Sequence, residues 1–267
     1  MSCDVGVKVM GKPLVAENKQ EIIIKSKRRV QKHGEVFTPK WMVEKMLNVP
    51  GVKEACNSVT ATFLEPAVGE GTFLIEILKR KLKVVSKKNC SSMTEYENYS
   101  LLALSSLYGI ELLEDNAHIC IMNVFNAFLD CYTEVLKNME KPINKKVLAS
   151  AKVIISSNIR QGNFLTRLAP NGESIRFSEW RVANDLSKKP KVIKVDRTEY
   201  TLEEIYEKQE KEIGSTTNRT NINRQLTIFD FMNQETNESD ERQEISRYLT
   251  VKIVDVYKEE MEVYTNE

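Results

Sequence analysis

The sequence predicts an α/β fold with a mainly parallel sheet and helices on both faces. The prediction rests first on three short apolar segments that are typical of buried strands, at residues 60–64, 107–111 and 153–157. It rests second on two segments of helical periodicity that separate them, at residues 72–85 and 115–132. When strands alternate with helices, consecutive strands pair in parallel through right-handed crossovers. The chain of 267 residues is long enough for one large domain, or for one domain with appendages.

A helix is predicted before the first strand and a loop before the second. Thr38 and Pro39 have the pattern of an N-cap followed by a first-turn proline, and Pro50-Gly51 ends the helix that they begin. Residues 87–98 are polar and are expected to form a loop.

Beyond Pro170 the periodic signal becomes weaker. Thr201 and Glu204 have the spacing of a capping box, which predicts a helix over residues 201–213. The strand candidates of this region are residues 175–180, 192–195 and 248–257.

Composition divides the chain into five parts. We assign an N-terminal arm, a central domain, a region of additional strands and a helix, a flexible polar segment with an apolar island, and a C-terminal strand with its tail, at residues 1–30, 31–170, 171–213, 214–246 and 247–267. The arm ends in a basic run, which consists of Lys25, Lys27, Arg28 and Arg29. Such a run is either a solvated face or a contact for DNA phosphates.

Charge and cysteine content limit the classes of function. The net charge of +1 gives no global attraction to nucleic acid, although a local basic patch is enough to bind DNA. The chain has five cysteines, which is an odd number, and no pair of them has the spacing of a zinc knuckle. The first residues lack an apolar core of the length found in secretory signal peptides. We therefore expect reduced thiols in a cytoplasmic protein. The apolar stretches are too short or too interrupted to span a bilayer, so no membrane partner is expected.

The most informative segment is FLEPAVGEGTF, residues 63–73, in which a strand leads through a sharp turn into a helix. Gly69 and Gly71 permit positive φ and a close approach of a ligand to the backbone. The start of the following helix offers unpaired N–H groups. This arrangement is typical of a nucleotide-cofactor site at the carboxyl end of a parallel sheet.

The residues of this turn distinguish between classes of cofactor. A dinucleotide fingerprint fits poorly because Leu74 stands where its last glycine would fall, and the Gly-Lys-Ser/Thr of a Walker A loop is missing. Glu65 at the strand end would repel a pyrophosphate but suits the ammonium of an amino-acid-like cofactor. S-adenosylmethionine carries such an ammonium and a sulfonium cation, so the turn favours a methyl donor over NAD or ATP.

The second strand ends in YGIELLEDN, residues 108–116, and Glu111 lies at its tip. A carboxylate at the tip of the strand after a glycine turn holds ribose hydroxyls in nucleotide-binding folds. The spacing from the turn is wider than the roughly 20 residues of a minimal unit, and the polar segment 87–98 accounts for the excess. The alternative is that Glu111 is a strand-end acid without a ligand.

Four segments resemble, in the same order, the amino-methylating DNA methyltransferases of bacterial restriction–modification systems. They are HGEVFTPKWMVEKML, FLEPAVGEGTFLIEIL, LYGIELLEDNAHIC and NIRQGNFL, and the resemblance covers roughly residues 25–166. Their shared order makes it more specific than a lone glycine pattern. The resemblance implies a Rossmann-like S-adenosylmethionine-dependent methyltransferase fold, S-adenosylmethionine as the cofactor, DNA as a partner and the adenine amino group as the methylated atom.

The resemblance also implies roles for single residues at the methionine end of the cofactor. The upstream segment that closes over the cofactor is matched by Phe37, Thr38 and Pro39. The glycine turn is matched by Glu65, Pro66, Ala67, Gly69 and Gly71.

Further matches concern the nucleoside end of the cofactor. Glu111 matches the ribose-binding acid, and Ile110 and Leu112 match residues that flank the adenine ring. Asn163, with Phe164, matches a position that usually carries an aspartate in contact with the adenine amino group. The asparagine is a departure from the family, although its carbonyl can accept the same hydrogen bond.

The catalytic signature of the family, [Asn/Asp]-Pro-Pro-[Tyr/Phe], is absent from this sequence. The adenine amine is a poor nucleophile because its lone pair is delocalised into the ring. In the family, the polar side chain and a proline carbonyl accept the hydrogens of the amine, and the aromatic residue stacks on the flipped-out base. No two of the seven prolines are adjacent, and Asn158 is followed by Ile159. The catalytic residues are therefore left unassigned.

No other group replaces the missing signature. His33 and His118 are the only histidines, and both are expected to be structural. The sequence contains no constellation of metal ligands, so no metal is expected.

A second motif, QLTIFDF, lies at residues 225–231 in an otherwise polar stretch. It resembles the Gln-Leu-x-[Leu/Ile]-Phe peptide with which bacterial replication and repair proteins dock on the sliding clamp. Gln225 would form hydrogen bonds, and an apolar groove would be filled by Leu226, Ile228 and Phe229. The alternative is an apolar island that packs on the surface of the protein itself.

These observations leave several hypotheses open. The first is a DNA methyltransferase that binds S-adenosylmethionine and needs a second chain for the catalytic tetrapeptide and target recognition. The second is a catalytically inactive, methyltransferase-like scaffold or interaction protein, with sliding-clamp binding as one role of its tail. A methyltransferase that acts on RNA or protein ranks lower because the upstream segment resembles the DNA enzymes.

Overall fold

A computed structural model describes residues 23–216 and 245–264, and the chain divides into two compact units, Met1–Pro39 and Lys40–Glu267. The α-helices are α1 (Lys27–His33), α2 (Lys40–Met46), α3 (Val52–Cys56), α4 (Thr72–Lys88), α5 (Met93–Ser105), α6 (Glu114–Asn138), α7 (Lys145–Asn158) and α8 (Leu202–Tyr206). The strands are β1 (Phe63–Glu65), β2 (Leu107–Glu111), β3 (Ile159–Gln161), β4 (Arg176–Val182), β5 (Lys194–Thr201), β6 (Ile245–Tyr248), β7 (Val251–Lys252) and β8 (Met261–Tyr264). Two 3₁₀ turns are formed by Leu186–Lys188 and Ile253–Lys258.

The first unit contains the short helix α1, whose two ends are capped by local residues. Ser26 accepts a hydrogen bond from the backbone N–H of Arg29 at the N-terminus. Gly34 ends the helix in the left-handed region and donates its N–H to the carbonyl of Val30. The guanidinium of Arg29 is paired with the carboxylate of Glu35, which is buried.

The second unit is built around a small parallel sheet in the order β1-β2-β3. Phe63 is in register with Leu107, and Glu111 is in register with Gln161. The chain is therefore an α/β protein, and the predicted parallel pairing of its first strands is confirmed. Because all three strands run in the same direction, their carboxyl ends meet at one edge of the sheet.

The two faces of this sheet are covered by different elements. Leu107 belongs to the main core cluster, which also contains the buried residues of α4, α5, α6 and α7. Tyr108 and Ile110 point to the other face and pack with Phe177 of β4 and Leu202 of α8. Helices therefore cover one face of the sheet, and strand β4 together with the short helix α8 covers the other.

A second, antiparallel sheet has the order β4-β5-β7, and β6 pairs with β8. Trp180 of β4 is in register with Arg197 of β5, and both side chains are buried. The strand prediction at residues 175–180 is confirmed by β4. The predicted strand at 192–195 begins later and continues further, as β5.

The polar segment 87–98 is not a loop, because its second half belongs to α5. Ser92 caps this helix by accepting the N–H of Glu95. Glu97 is buried, and its carboxylate accepts hydrogen bonds from the Tyr132 hydroxyl at 2.7 Å and from the Asn144 amide at 3.2 Å. The loop prediction was wrong because polar side chains that find partners inside the protein are compatible with a buried helix.

The predicted third strand at residues 153–157 is the end of α7. Its apolar residues recur at helical spacing, so that Val147, Ala151, Ile154 and Ile155 are all buried. The strand follows immediately as β3 and is only three residues long. A short apolar run does not distinguish a strand from a buried helical turn by itself.

The predicted C-terminal elements differ in extent. The capping box of Thr201 and Glu204 is present, but α8 ends at Tyr206 rather than near residue 213. The segment 248–257, predicted as one strand, contains the end of β6, then β7, and then a 3₁₀ turn. In this turn Ile253 and Val256 are both buried, and their spacing of three residues suits a 3₁₀ turn rather than a strand.

A buried lysine holds the segment that precedes the first strand. Lys81 has no solvent exposure, and its ammonium donates to the carbonyls of Ser58 at 2.7 Å and Ala61 at 2.6 Å. These carbonyls belong to the segment before β1, which begins at Phe63, opposite the first residue of β2, and not near residue 60. Burial lowers the pKa of Lys81 to about 8, which leaves the side chain mainly charged at neutral pH.

Replacing Lys81 with methionine is expected to lower the free energy of unfolding by about 3 kcal/mol, because buried carbonyls lose their donor. Urea denaturation followed by circular dichroism at pH 7 measures the change. Lys83→Met is the control, since this exposed lysine lies on the same helix and its replacement should change stability by less than about 0.5 kcal/mol. Equal effects of the two substitutions would contradict this role of Lys81.

The pKa of Lys81 also predicts a pH dependence. The unfolded chain keeps the ordinary value of 10.5, whereas the folded chain releases the proton at about 8. Between these two values the unfolded state binds more protons, so the stability of the wild type rises with pH relative to Lys81→Met. Urea titrations of both proteins from about pH 7.5 to about pH 10 test this prediction. A stability difference that stays flat or falls would refute it.

Among the described residues, α6 is long and apolar enough to cross a membrane by length and composition alone. Its apolar face is part of the main core, with Val124, Phe128 and Tyr132 almost inaccessible to solvent. A buried core helix passes the same test, so α6 gives no support for a membrane partner.

Candidate functional site

The candidate site is the glycine turn between β1 and α4, at the carboxyl edge of the parallel sheet. Gly69 has φ of 55° and Gly71 has φ of 94°, both in the left-handed region. Side chains other than glycine are strained there, so the sequence-based reason for these two glycines is confirmed by the backbone. The turn delivers the chain directly to the start of α4 at Thr72.

Helix α6 packs against the turn from the side. A Cβ atom placed on Gly71 would lie 3.0 Å from the Sγ of Cys120 and 3.5 Å from Val124. The side-chain amide of Asn123 donates to the carbonyl of Glu70 at 3.0 Å. Gly71 is therefore required both by its dihedral angle and by the closeness of α6.

Gly109, in the middle of β2, lets the turn lie directly on the sheet. A Cβ atom at this position would be 3.1 Å from Leu74 and 3.2 Å from Val68. The N–H of Val68 donates to the carbonyl of Ile110 at 2.9 Å. The close approach of turn and strand is thus fixed by one hydrogen bond and by the absence of one side chain.

Glu111 connects the glycine turn to the tip of β2. Its carboxylate accepts the N–H of Gly69 at 2.8 Å through one oxygen and the N–H of Leu113 at 2.9 Å through the other. The side-chain amide of Asn116 lies 3.5 Å from the second oxygen. Glu111 is buried, with 7% exposure. The acid that was predicted to hold a ribose therefore also holds the turn in place.

Glu65 is arranged differently at the end of β1. One of its oxygens accepts the N–H of Ala67 at 3.2 Å, and the side chain is half-buried. Pro66 and Ala67, which follow it, are exposed. The carboxylate of Glu65 is accordingly accessible to a cationic group, whereas that of Glu111 is enclosed.

Replacing Glu111 with glutamine is expected to lower the free energy of unfolding by about 2 kcal/mol, because an amide nitrogen would face one of two backbone N–H groups. The amides of Gly69 and Leu113 should exchange with solvent about tenfold faster. Hydrogen exchange read by NMR tests both effects. Glu65→Gln is the matched control, since its remaining oxygen can keep the one hydrogen bond, and it should leave these amides unchanged.

The residues after β3 lie at the same edge of the sheet. The side-chain oxygen of Asn163 accepts the N–H of Leu165 at 2.9 Å, which makes a local turn. Phe164 and Leu112 are exposed by 39% and 48%, respectively. Gln161 and Glu111 are in register, so the segments that carry Asn163 and Leu112 leave adjacent strands. An apolar surface is therefore available beside Glu111.

Three groups of predicted site residues remain. Ile110 is fully buried against β4 and α8, so its side chain supports the strand from within the core. Phe37, Thr38 and Pro39 belong to the first unit, where the N–H of Phe37 donates to the carbonyl of Ile23. The predicted clamp-binding residues lie outside the described residues; they are Gln225, Leu226, Ile228 and Phe229.

Asn158, which is followed by Ile159 instead of the prolines of the catalytic signature, has a structural role. Its side-chain amide donates to the carbonyls of Ser105 and Leu107, at 3.0 and 3.1 Å. Its side-chain oxygen accepts the indole N–H of Trp180 at 3.0 Å. The side chain thus joins the end of α5 and the start of β2 to the second sheet, and the residue is 1% exposed.

The described residues contain no cluster of histidine, cysteine, aspartate and glutamate that suits a metal ion. Burial raises the pKa of the Cys120 thiol beside the glycine turn, with a smaller contribution from Glu111, and this disfavours the thiolate form. The cysteines of the described segments, Cys56, Cys90, Cys120 and Cys131, are all free.

Several residues of the site were not predicted from the sequence. Cys120 and Asn123 support the turn from α6, and their spacing in a helix gives no hint of this contact. Gly109 did carry a signal, because a glycine inside an apolar strand often marks a close approach of backbone. Its position two residues before Glu111 was the available clue.

Comparison of the chain with models of protein families, with curated proteins and with solved structures finds no match. Fold and site together define this chain as an α/β protein in which a glycine turn and a carboxylate lie at the ends of two adjacent strands. A more particular assignment rests on the chemistry of that site.

Proposed function

We propose that this chain is a cytoplasmic, S-adenosylmethionine-binding protein of the DNA adenine methyltransferase type, with a Rossmann-like fold. One observation carries the proposal. The glycine turn after β1 is hydrogen-bonded to Glu111, the carboxylate at the tip of the neighbouring parallel strand β2. Adjacent strand ends with these two features are the usual place for a nucleoside-containing cofactor.

The residues present suit the chemical groups of this cofactor. One oxygen of the Glu111 carboxylate accepts the N–H of Leu113 and lies 3.5 Å from the Asn116 amide, whereas the other accepts only the N–H of Gly69 and, with about two acceptor positions per oxygen, keeps one of them. Acceptor capacity for ribose hydroxyls therefore remains. Glu65 offers a half-buried carboxylate to the ammonium, and Leu112 offers an exposed apolar side chain to the adenine ring. The cofactor supplies an electrophilic methyl group when bound.

A second chain is part of the proposal, because this sequence lacks the tetrapeptide that activates the adenine amine. The position of β1 suits such a partner. β1 is at the edge of its sheet. The N–H of Phe63 points towards β2 and donates to the carbonyl of Ser106. Because successive residues of a strand point their backbone groups to opposite sides, the N–H and carbonyl of Leu64 face away from β2. Leu64 is 44% exposed. A strand from another chain can pair with an edge of this kind, next to the glycine turn.

The proposal is tested by isothermal titration calorimetry of the wild-type chain with S-adenosylmethionine. We expect one site per chain, with a dissociation constant in the micromolar range. S-adenosylhomocysteine should compete, whereas NAD and ATP should not. The chain alone should transfer no methyl group to duplex DNA in an assay with radiolabelled cofactor. Absence of binding at millimolar cofactor would overturn the proposal.

A second candidate function is an inactive scaffold that retains the fold without the cofactor. It is favoured by one observation: Glu111 and Asn163, two of the predicted ligand-binding groups, already accept backbone hydrogen bonds. The same calorimetric experiment separates the two candidates. If the cofactor fails to bind, the predicted docking peptide at residues 225–231 becomes the next feature to test, with purified sliding clamp as the probe.

A further inference from the structure

The described part of the first unit has a charge opposite to that of the rest of the chain. Residues 23–39 contain five lysines and arginines against one carboxylate, Glu35, which gives a formal charge of +4. The whole chain has a charge of +1, so the remaining residues together carry −3. The segment around α1 therefore carries a local net charge of +4.

Helix α1 presents three of these charges on one side. Lys27, Arg28 and Lys32 are exposed, and with Gln31 they fall within an arc of about 140° at the α-helical repeat. The helical rise separates Lys27 from Lys32 by about 7.5 Å along the axis. Within the described ranges, the structure gives none of the three a carboxylate partner, whereas Arg29 on another side is paired with Glu35.

The composition of α1 distinguishes between polyanions. A helix that lies on a lipid surface needs an apolar stripe opposite its charges. The only apolar residue of α1 is Val30, and no residue of the helix is buried. A helix with charges and without such a stripe suits a phosphate backbone that remains in water.

We propose that the basic face of α1, formed by Lys27, Arg28 and Lys32, contacts the phosphates of duplex DNA. The choice of DNA among phosphate-containing polymers rests on the proposed function. Contacts of this kind position a protein on the duplex without reading its sequence.

Binding of a fluorescein-labelled duplex, followed by anisotropy at several salt concentrations, tests this proposal. Each phosphate contact contributes about 0.9 to the slope of log affinity against log salt. Replacing Lys27, Arg28 and Lys32 with glutamine should therefore reduce the slope by about 2.7 and weaken binding at least tenfold at low salt. Glutamine keeps the helix propensity nearly unchanged, and circular dichroism verifies that the fold is intact.

The matched control replaces Lys83, Lys87 and Lys88 of α4 with glutamine, which removes the same charge from exposed positions on a helix of the second unit. This control should keep most of the salt slope. Equal losses in both triple variants would show that only net charge acts, and an unchanged affinity of the α1 variant would show that α1 is not in contact. Either result overturns the proposal. So does α1-dependent binding to vesicles of phosphatidylserine without binding to DNA.

Calorimetry with S-adenosylmethionine keeps this test separate from the proposed function. The α1 variant should bind the cofactor like the wild type, because the proposed contacts are to DNA alone. A chain that binds DNA through α1 but lacks cofactor binding would refute the proposed function and support the DNA contact. A chain that binds the cofactor but not DNA would refute the contact alone.

Discussion

Replacing Gly71 with tryptophan is expected to abolish S-adenosylmethionine binding, with a loss of affinity of at least 100-fold. The Cβ atom of the new side chain would lie 3.0 Å from the Sγ of Cys120, and the backbone at this position has a φ of 94°. Neither α6 nor the turn has room for an indole, so the turn must leave its place on β2 or the side chain must enter the cofactor site. Calorimetry of both proteins measures the loss.

Alanine at the same position separates the packing effect from a loss of the fold. Gly71→Ala combines an unfavourable positive φ with a close contact to Cys120, and we expect a destabilisation of about 2–4 kcal/mol. Gly172→Ala is the matched control, because Gly172 has φ of 82° and a Cβ atom there would meet nothing within 4 Å. Its cost should be only the backbone strain, about 1–2 kcal/mol.

The comparison of the two alanine variants remains informative if the cofactor does not bind at all. Urea denaturation of both proteins tests the packing of the turn, while calorimetry tests the proposed ligand. Equal destabilisation by the two substitutions would show that α6 yields to the new methyl group. If the Gly71→Trp protein bound the cofactor like the wild type, the glycine turn would not be part of the cofactor site.

Replacing Arg197 with methionine is expected to lower the free energy of unfolding by about 3–5 kcal/mol. Arg197 is 7% exposed and donates to the hydroxyls of Ser178 and Ser157 at 2.9 and 3.0 Å. It also pairs with Glu259 at 2.7 Å, and its guanidinium lies 4.2 Å from the centroid of the Tyr248 ring. The buried guanidinium thus joins β4, β5, α7 and the C-terminal segment.

The expected loss is large because the partners of Arg197 stay behind when it is removed. The buried hydroxyls of Ser157 and Ser178 would lose their donor, and the buried carboxylate of Glu199, 3.7 Å from the guanidinium, would lose its cation. Arg181→Met serves as the control, since Arg181 is 57% exposed and lies 3.8 Å from Asp196. An exposed ion pair contributes about 0–1 kcal/mol. Urea denaturation of both variants measures the difference, and a loss below about 1 kcal/mol for Arg197→Met would contradict the interpretation.

Features with a local physical cause were predictable from the sequence. β2 was predicted at residues 107–111 and occurs there, and α4 was predicted at 72–85 and continues to Lys88. The capping box of Thr201 and Glu204 forms as expected, because both of its hydrogen bonds lie within three residues. The glycines of the turn were also predicted correctly, since positive φ is a property of single residues.

Features that depend on distant partners were not predictable in this way. The carboxylate of Glu97 in α5 is buried, and its hydrogen-bond donors are Tyr132 and Asn144, far along the chain. The apolar end of α7 was mistaken for a strand because burial by neighbouring helices, and not the local pattern, decides between the two.

The candidate site shows the same division. By itself the sequence determined the glycine turn and the acid of the next strand, because the strand, the turn and the helix start each have a local signature. Only the tertiary structure decided that Glu111 accepts the N–H of Gly69, across 42 residues, and that Cys120 and Gly109 determine how closely the turn packs. The physical reason is that dihedral preferences and periodicity are encoded by neighbours in the chain, whereas packing distances and hydrogen-bond partners arise only when separate elements are brought together.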